Sequence, residues 1–530
     1  MTTSSKKKHQ ADLILYNGHI YTVNDRFEIA EAFAVREGRF VATGTNKEIL
    51  DQYEAAEYID LTGDFVYPGF IDAHAHFYGY AMSLQEAGLT DAASLEEVIE
   101  RVIKHRKDHP DQTWILGRGW DQNLWDEKVF PDKEKMDELF PNTPVFLTRI
   151  DNHAALANQK ALDMGGVTAS TTLLGGTVIL KHGRPTGVLI DNAMGKVSDK
   201  IPEVSEAGLR KALIAAQKNC FKVGLTTIAD AGLDREKIDL LEKMHKEKVL
   251  KIRIYAMIHP SKENKDYYFE RGPYQNDQLT VRSFKIFGDG ALGSRGAALL
   301  EPYHDSPEEQ GFLLQTKEEL ESVSREIYQH GFQLNTHAIG DSANRTILDI
   351  YGQILGKENS RRWRIEHAQI VNREDLSKFG LFHIIPSVQP THATSDMHWA
   401  EERLGPERIK DAYVFKDLLD QNGFIALGSD FPVESINPLF GFHAAISRKD
   451  GENWPEEGFQ IENKLTRKEA LKGMTIWAAY ANFEEKLKGS IEAGKLADFV
   501  IMERDIMSVP EEDLRTISVK NTFIGGEKLF

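Results

Sequence analysis

Between residues 65 and 432 the chain alternates short apolar runs with longer amphipathic stretches. The apolar runs are FVYPGFIDAHAHF (65–77), VGLTTIAD (223–230), KIRIYAMI (251–258), VRSFKIFGDG (281–290), GFQLNTHAIGD (331–341), RWRIEHAQ (362–369), FHIIPSVQP (382–390) and GFIALGSDFP (423–432). Each is short enough for a strand. Intervening stretches such as TKEELESVSREIYQH (316–330) and NREDLSKFG (372–380) suit helices. Eight strand-like runs in this order predict an α/β fold, a (β/α)8 TIM-like barrel. A doubly wound open sheet is the alternative, but no G-x-G-x-x-G follows an early strand.

The pattern changes at both ends and in one interior stretch. Residues 1–65 read as short strands and turns, with an Asn17-Gly18 turn and Glu37-Gly38 between two apolar stretches. This predicts antiparallel β structure. Residues 489–530 have the same texture, in GSIEAGKLADFVIM and ISVKNTFIGGEKLF. The two ends together predict one small β-sandwich-like domain. The barrel is expected over 66–432, with closing helices over 433–488. Between His76 and Gly224 lie roughly 145 residues, far more than a crossover helix needs. A large insertion at about 80–215 is therefore expected above the barrel mouth.

Composition narrows the class. Of 530 residues, 41% are hydrophobic and 28% charged, as in soluble globular chains. The formal net charge of -18 disfavours nonspecific contact with nucleic acid or anionic lipid, and no basic groove or aromatic stripe marks a nucleic-acid site. The single cysteine, Cys220, excludes an intrachain disulfide and reads as a buried thiol on a helix. Lys6, Lys7 and Lys8 precede only a four-residue apolar run between Asp12 and Asn17, too short for a signal or membrane segment. A cytoplasmic location is expected.

The chemistry gathers at the ends of the apolar runs. His74 and His76 lie two apart in DAHAHF, so a strand turns both side chains to one face. Later runs carry Lys285, His337, His367 and Asp430 near their ends. In a barrel such positions converge on the C-terminal face. Imidazole and carboxylate groups suit zinc and other divalent first-row metals. Singly, each histidine fits an ordinary polar core or surface position; the ordered set does not.

The motifs VYPGFIDAHAHF, GRGWDQNLWD, PVFLTRIDNHAALANQKAL, VGLTTIADAG, FKIFGDGALGSRGAAL, NTHAIGD, IEHAQ, LGSDFPVE and GSIEAGKLADFVI span nearly the whole chain. Together they resemble the amidohydrolase superfamily, and within it the branch that includes N-substituted formamide deformylases. The resemblance implies that His74, His76 and Asp430 ligate the more buried metal, and that His337 and His367 hold a second. It implies that Lys285 is carboxylated to a carbamate bridge. A free ammonium has no acceptor and cannot ligate a cation; the alternative is an ordinary Lys285 paired with Asp289 beside a single metal. One or two divalent ions per chain, zinc foremost, are thus expected. The implied activity is hydrolysis of a nonpeptide C–N amide-type bond in a small N-formyl or N-acyl amine, by metal-activated hydroxide, with Asp430 as proton carrier.

Trp120, Asp121, Asp151, His153 and Arg295 match branch motifs. His153 is a candidate for contact with the substrate carbonyl or its oxyanion; alternatively Asn152 and His153 cap a helix beginning near Ala154. Trp120 and Trp125 either wall the pocket or fill the insertion's core. His392 and His398, after the seventh run, are further substrate-binding candidates. Two rival functions use the same residues. One is a mononuclear deaminase of a heterocycle, with Asp341 in the place of a catalytic glutamate. The other is a noncatalytic metal- or metabolite-binding protein. A homodimer is left open.

Overall fold

All eight apolar runs form neighbouring strands in one parallel sheet. They are β1 (Phe70–Ala75), β2 (Leu225–Leu233), β3 (Arg253–Ile258), β4 (Leu279–Phe287), β5 (Gln333–Ala338), β6 (Arg364–His367), β7 (Ile385–Val388) and β8 (Ala426–Leu427). A computed structural model describes residues 8–202 and 204–530; Lys6 and Lys7 of the basic run lie outside them. Every residue of β1, β3, β5, β6 and β7 is buried. That is the signature of parallel strands covered on both faces, and it explains why the runs read as continuous rather than alternating. Registers such as Lys285↔Asn335 and Ala338↔His367 bring the polar strand ends to one rim.

The eighth strand is only two residues long, yet the barrel closes. Asp430 N donates to His74 O (2.8 Å) and His76 N donates to Phe431 O (2.8 Å). The seam therefore runs through the residues that carry the chemistry. Helices cover the outside. Lys317–Gln329 starts on a Thr316/Glu319 capping box, close to the expected 316–330. The helix expected at 372–380 is shorter, Leu376–Leu381, because Asn372 caps a turn by accepting from Glu374 N. Cys220 is buried on helix Glu206–Lys222, where burial pushes its thiol pKa up. Among the described residues, no helix is long and apolar enough to cross a membrane.

Both ends contribute to smaller sheets, as expected. Strand Phe65–Pro68 pairs antiparallel with Phe499–Met502, and Leu13, Phe33, Val66, Phe499 and Phe523 share one apolar core. The expectation of purely antiparallel pairing is corrected. His9–Tyr16 runs parallel to Tyr53–Asp60, and His19–Tyr21 parallel to Phe65–Pro68. The cause is a helix at Asn46–Gln52, started by a Thr45/Glu48 capping box, which carries the chain across before it returns.

The stretch between β1 and β2 holds a six-stranded mixed sheet in the order Gly176–Lys181, Arg184–Asp191, Ala154–Ala157, Val145–Arg149, Ile115–Trp120, Ala87–Gly88. It has apolar clusters of its own, around Ile115, Leu147 and Val188 on one face and Phe146, Leu162 and Leu189 on the other. Residues 154–157 are a strand, not the start of a helix. The helix begins at Gln159 and is capped by Asn158, so Asn152 and His153 are free of capping.

Candidate metal centre and substrate cavity

Two overlapping groups bring ligand atoms within 4.8 Å of one another: His74, His76 and Asp430, and His367, His392 and Asp430. Asp430 Oδ1 lies 3.5 Å from His74 Nε2 and 3.1 Å from His76 Nε2, while its Oδ2 lies 3.8 Å from His392 Nε2. His74 Nε2, His392 Nε2 and Asp430 Oδ1 are buried without a hydrogen-bond partner. Buried polar atoms left unpaired are costly, and imidazole nitrogens converging on a carboxylate oxygen fit a divalent cation.

The backbone is bent to build this set. His367 has φ 72° and Asp430 φ 61°, left-handed values that cost a non-glycine residue about 1–3 kcal/mol. His367 ends β6, and Asp430 lies just beyond β8, past Gly428 and Ser429, where its N–H is held by His74 O. The rings are fixed from behind. His74 Nδ1 donates to Glu366 Oε2 (2.6 Å), His76 Nδ1 to Ala231 O (3.2 Å) and His367 Nδ1 to Gln389 Oε1 (2.7 Å). Each leaves Nε2 for the cavity, as metal-binding histidines require. Glu366 is itself clamped by the Arg364 guanidinium (2.7 and 2.8 Å).

Protonation fits a cation as well. Burial, then the Lys285 ammonium, pulls the His74 imidazole down to about 4. Burial likewise holds His337 and His367 well below their ordinary values. Burial alone would raise the Asp430 carboxyl, but the His76, His74 and His367 imidazoles around it hold it well below the usual range. His74, His337 and His367 are thus neutral imidazoles and Asp430 a carboxylate, the forms that bind metal.

Lys285 and His337 line the same cavity but stand beside these two groups. Among the described residues, no carboxylate lies within 4.0 Å of Lys285 Nζ, which sits 4.3 Å from the Phe287 ring centre. Burial pulls its pKa down to about 8 against the attraction of Glu366 and Asp430. The alternative pairing of Lys285 with Asp289 is corrected. Asp289 instead accepts from three backbone N–H groups, of Ala298, Ile339 and Gly340, and shapes the loop after β4. His337 Nε2 lies 3.3 Å from Gly290 O, and its ring centre is 4.6 Å from that of His367.

The cavity holds about 310 Å³ and is walled by both the barrel and the insertion. Leu124, Ile150, Phe287, Leu292, Trp399 and Val433 supply apolar surface. Asp121, Asp151, His153 and His392 all reach it. Asp121 and Asp151 hold the buried Arg149 guanidinium between them. His153 Nδ1 lies 2.5 Å from Asp191 Oδ1; burial would pull its imidazole down, but the Asp191 carboxylate outweighs that and raises it.

Three expected substrate contacts lie elsewhere. Trp120 is buried in the insertion's core, donating to Leu147 O (2.7 Å) beside Trp125. Arg295 pairs with Asp305 (2.9 Å), and His398 pairs with Asp450 (3.2 Å) and stacks on Trp454. In each case a local partner captures the polar end of the side chain. Asp341 is also absent from the cavity wall, because it accepts from Leu300 N and Ser342 N at the start of a helix. Conversely, Glu366, Gln389, Asp191 and Arg149 were not singled out by the sequence. A signal existed for one: Arg364 and Glu366 are charged residues inside a run otherwise apolar enough for a barrel strand.

A barrel with histidines and an aspartate converging at its C-terminal rim has the make-up of a metal-dependent hydrolase. The chain belongs to the amidohydrolase family, which it matches over residues 57–530. It is 34% identical over 540 residues to Protein LONG AFTER FAR-RED 3 of Arabidopsis thaliana, covering 98% of this chain and 92% of that one. It is 27% identical over 543 residues to the N-substituted formamide deformylase of Arthrobacter pascens, covering 97% of each. An uncharacterized metal-dependent hydrolase from Pyrococcus horikoshii, solved by crystallography, superposes with a TM-score of 0.76 at 28% identity, over 94% of this chain and 99% of that one.

Proposed function

We propose that this hydrolase cleaves a small, mostly uncharged N-formyl or N-acyl amine, or a cyclic amide. The observation that carries the reading is a cavity of about 310 Å³ whose polar floor is the His–Asp cluster and whose wall combines an apolar patch, from Leu124, Phe287, Leu292 and Trp399, with carboxylates such as Asp121 and Asp151. The likeness to a formamide deformylase supports the same choice.

Zinc suits the donor set, and a bound divalent ion would polarise the amide carbonyl and lower the pKa of water. His74, His76 and Asp430 would hold the more buried ion; Lys285, His337 and His367 would hold a second, with Lys285 as its carbamate. A buried lysine with its pKa drawn down to about 8 and no carboxylate partner is set for that conversion, because the neutral amine is the reactive form. His392 stands where His367 and Asp430 converge and is a further ligand or substrate contact. Asp430 divides its labour: Oδ1 faces His74 and His76, leaving Oδ2 to hold a proton and deliver it to the leaving nitrogen. His153 faces the carbonyl side. The location is proposed to be cytoplasmic and the partner a small molecule rather than nucleic acid.

A screen of formamides, lactams, hydantoins, esters and N-acyl amino acids tests the reading, with metals per chain measured on the same preparation. Turnover of formamides or related amides is the expected result. Turnover of a phosphate ester alone would overturn it.

A further inference from the structure

His153 is the one imidazole of the cavity supplied by the insertion, and its setting differs from that of the barrel histidines. Its Nδ1 lies 2.5 Å from Oδ1 of Asp191. The backbone locks the pair from both sides. Asp191 N donates to His153 O (2.9 Å), His153 N donates to Asp151 Oδ1 (3.0 Å), and the next residues pair as Ala154↔Ile190. The ring centre lies 5.0 Å from that of His337 and 6.4 Å from that of Phe287.

The second oxygen of Asp191 is equally fixed. Oδ2 is buried without a hydrogen-bond partner. It sits in a seat made by two glycines of the loop after β4, since a Cβ on Gly290 or on Gly296 would come within 2.5 Å of it. A buried carboxylate is costly unless a cation or donor answers its charge. Among the described residues, His153 is the only ion-pair partner within 4.0 Å of Asp191.

We propose that Asp191 is a positioning residue, which fixes the tautomer and orientation of His153 so that Nε2 is the atom presented to the substrate carbonyl oxygen. The inference rests on the amide-hydrolase reading and deepens it. With Nδ1–H donated to Asp191, a proton on Nε2 makes the ring a donor to that oxygen, and its positive charge opposes the charge that develops there. The logic is that of any buried carboxylate behind a working histidine: it sets which nitrogen faces the reaction. Docking on Gly290 and Gly296 ties the insertion's contribution to the loop that follows Lys285.

The test uses the full-length, metal-loaded enzyme. Asp191→Ala removes the acceptor that holds Nδ1–H and frees the ring to turn, whereas Asp191→Asn keeps the shape and an amide oxygen that can accept the same bond. The expected result is a fall in kcat of about 100-fold or more for Asp191→Ala, partly restored in Asp191→Asn, with KM and metals per chain nearly unchanged. His153→Gln should lose a similar amount, and the double variant no more than either alone. Nitrogen-15 spectra of labelled histidines, assigned by the signal lost in His153→Gln, should show Nδ1 protonated in the parent and in Asp191→Asn, and a mixture of the two ring tautomers in Asp191→Ala. Should Asp191→Ala fail to fold, Gly296→Ala disturbs the same carboxylate seat and is expected to lower kcat at near-constant KM. Parent-like kcat in folded Asp191→Ala, or an unchanged His153 signal there, would overturn the proposal. If the parent enzyme cleaves no C–N bond, the amide reading falls, and the spectra alone still decide whether Asp191 sets the tautomer.

Discussion

Glu366, the Ala231 carbonyl and Gln389 each take one histidine Nδ1–H, and the three acceptors are not equivalent. Only Glu366 carries charge, and it is also the counter-ion of a fully buried Arg364. Glu366→Gln should therefore act twice. Metal affinity should drop about 10- to 100-fold, and stability by about 3–5 kcal/mol as Arg364 loses its partner. Metal-buffered titration and urea unfolding separate the two effects, and unchanged metal affinity would show that His74 does not need the carboxylate. Lys285 gives a second prediction at this scale. On the proposed carbamate bridge, Lys285→Ala and Lys285→Arg should both lose a second ion and most activity, because neither offers an acceptor. If Lys285→Arg keeps substantial activity with one metal per chain, the carbamate account is wrong. His74, His76, His367 and Asp430 were legible because each closes an apolar run. Trp120, Arg295 and His398 were misread because a motif says which residues travel together, not which way a side chain turns or which neighbour captures it.

At the scale of elements, strand identity was readable wherever burial on both faces made the sequence uniformly apolar. It failed at residues 154–157, where AALA has helix-forming composition but pairs with Val145–Arg149 and Arg184–Asp191 on both edges. Tertiary pairing overrode local preference there. The same small residues allow the insertion's sheet to set His153 beside the barrel. Leu124, Arg149, Ile150, Asp151 and His153 all reach the cavity from this stretch. Replacing residues 80–215 by a short linker is thus expected to leave metal on the barrel while kcat/KM falls at least about 100-fold, the scale of one lost transition-state donor. A trimmed protein with intact metal and unchanged kcat/KM would refute this.

For the molecule as a whole, the small β structure is held to the barrel by a buried ion pair. Arg253 of β3 meets both oxygens of Asp498 (2.6 and 2.7 Å), just before strand Phe499–Met502. Burial would raise the Asp498 carboxyl, but the Arg253 guanidinium outweighs it and holds the pKa below the ordinary value. Its stabilising contribution is complete above the unfolded pKa of about 3.9 and is lost as pH falls through the lower folded value. Asp498→Asn should cost about 3–5 kcal/mol at neutral pH, and its deficit against the parent should shrink below about pH 4. Thermal unfolding across pH 3–8 reads both; a deficit independent of pH would show that the carboxylate charge is not what matters. That the two chain ends meet was visible in their shared texture. The pair that joins them to the barrel was not, because Arg253 and Asp498 lie 245 positions apart.

The seam between β8 and β1 has a consequence for biosynthesis. Ser429 N and Oγ donate to Asp72 across 357 positions of chain, and Asp430 follows immediately. Both ligand groups include Asp430. A nascent chain that has emerged only as far as β7 already displays His74, His76, His337 and His367, but it can complete neither group. On the proposed ligand roles, capture of the more buried ion at His74, His76 and Asp430 would therefore wait for the eighth strand to leave the ribosome and close the ring. Retention of that ion would then be a certificate of finished folding, and the ion would tie the earliest barrel strand to the last.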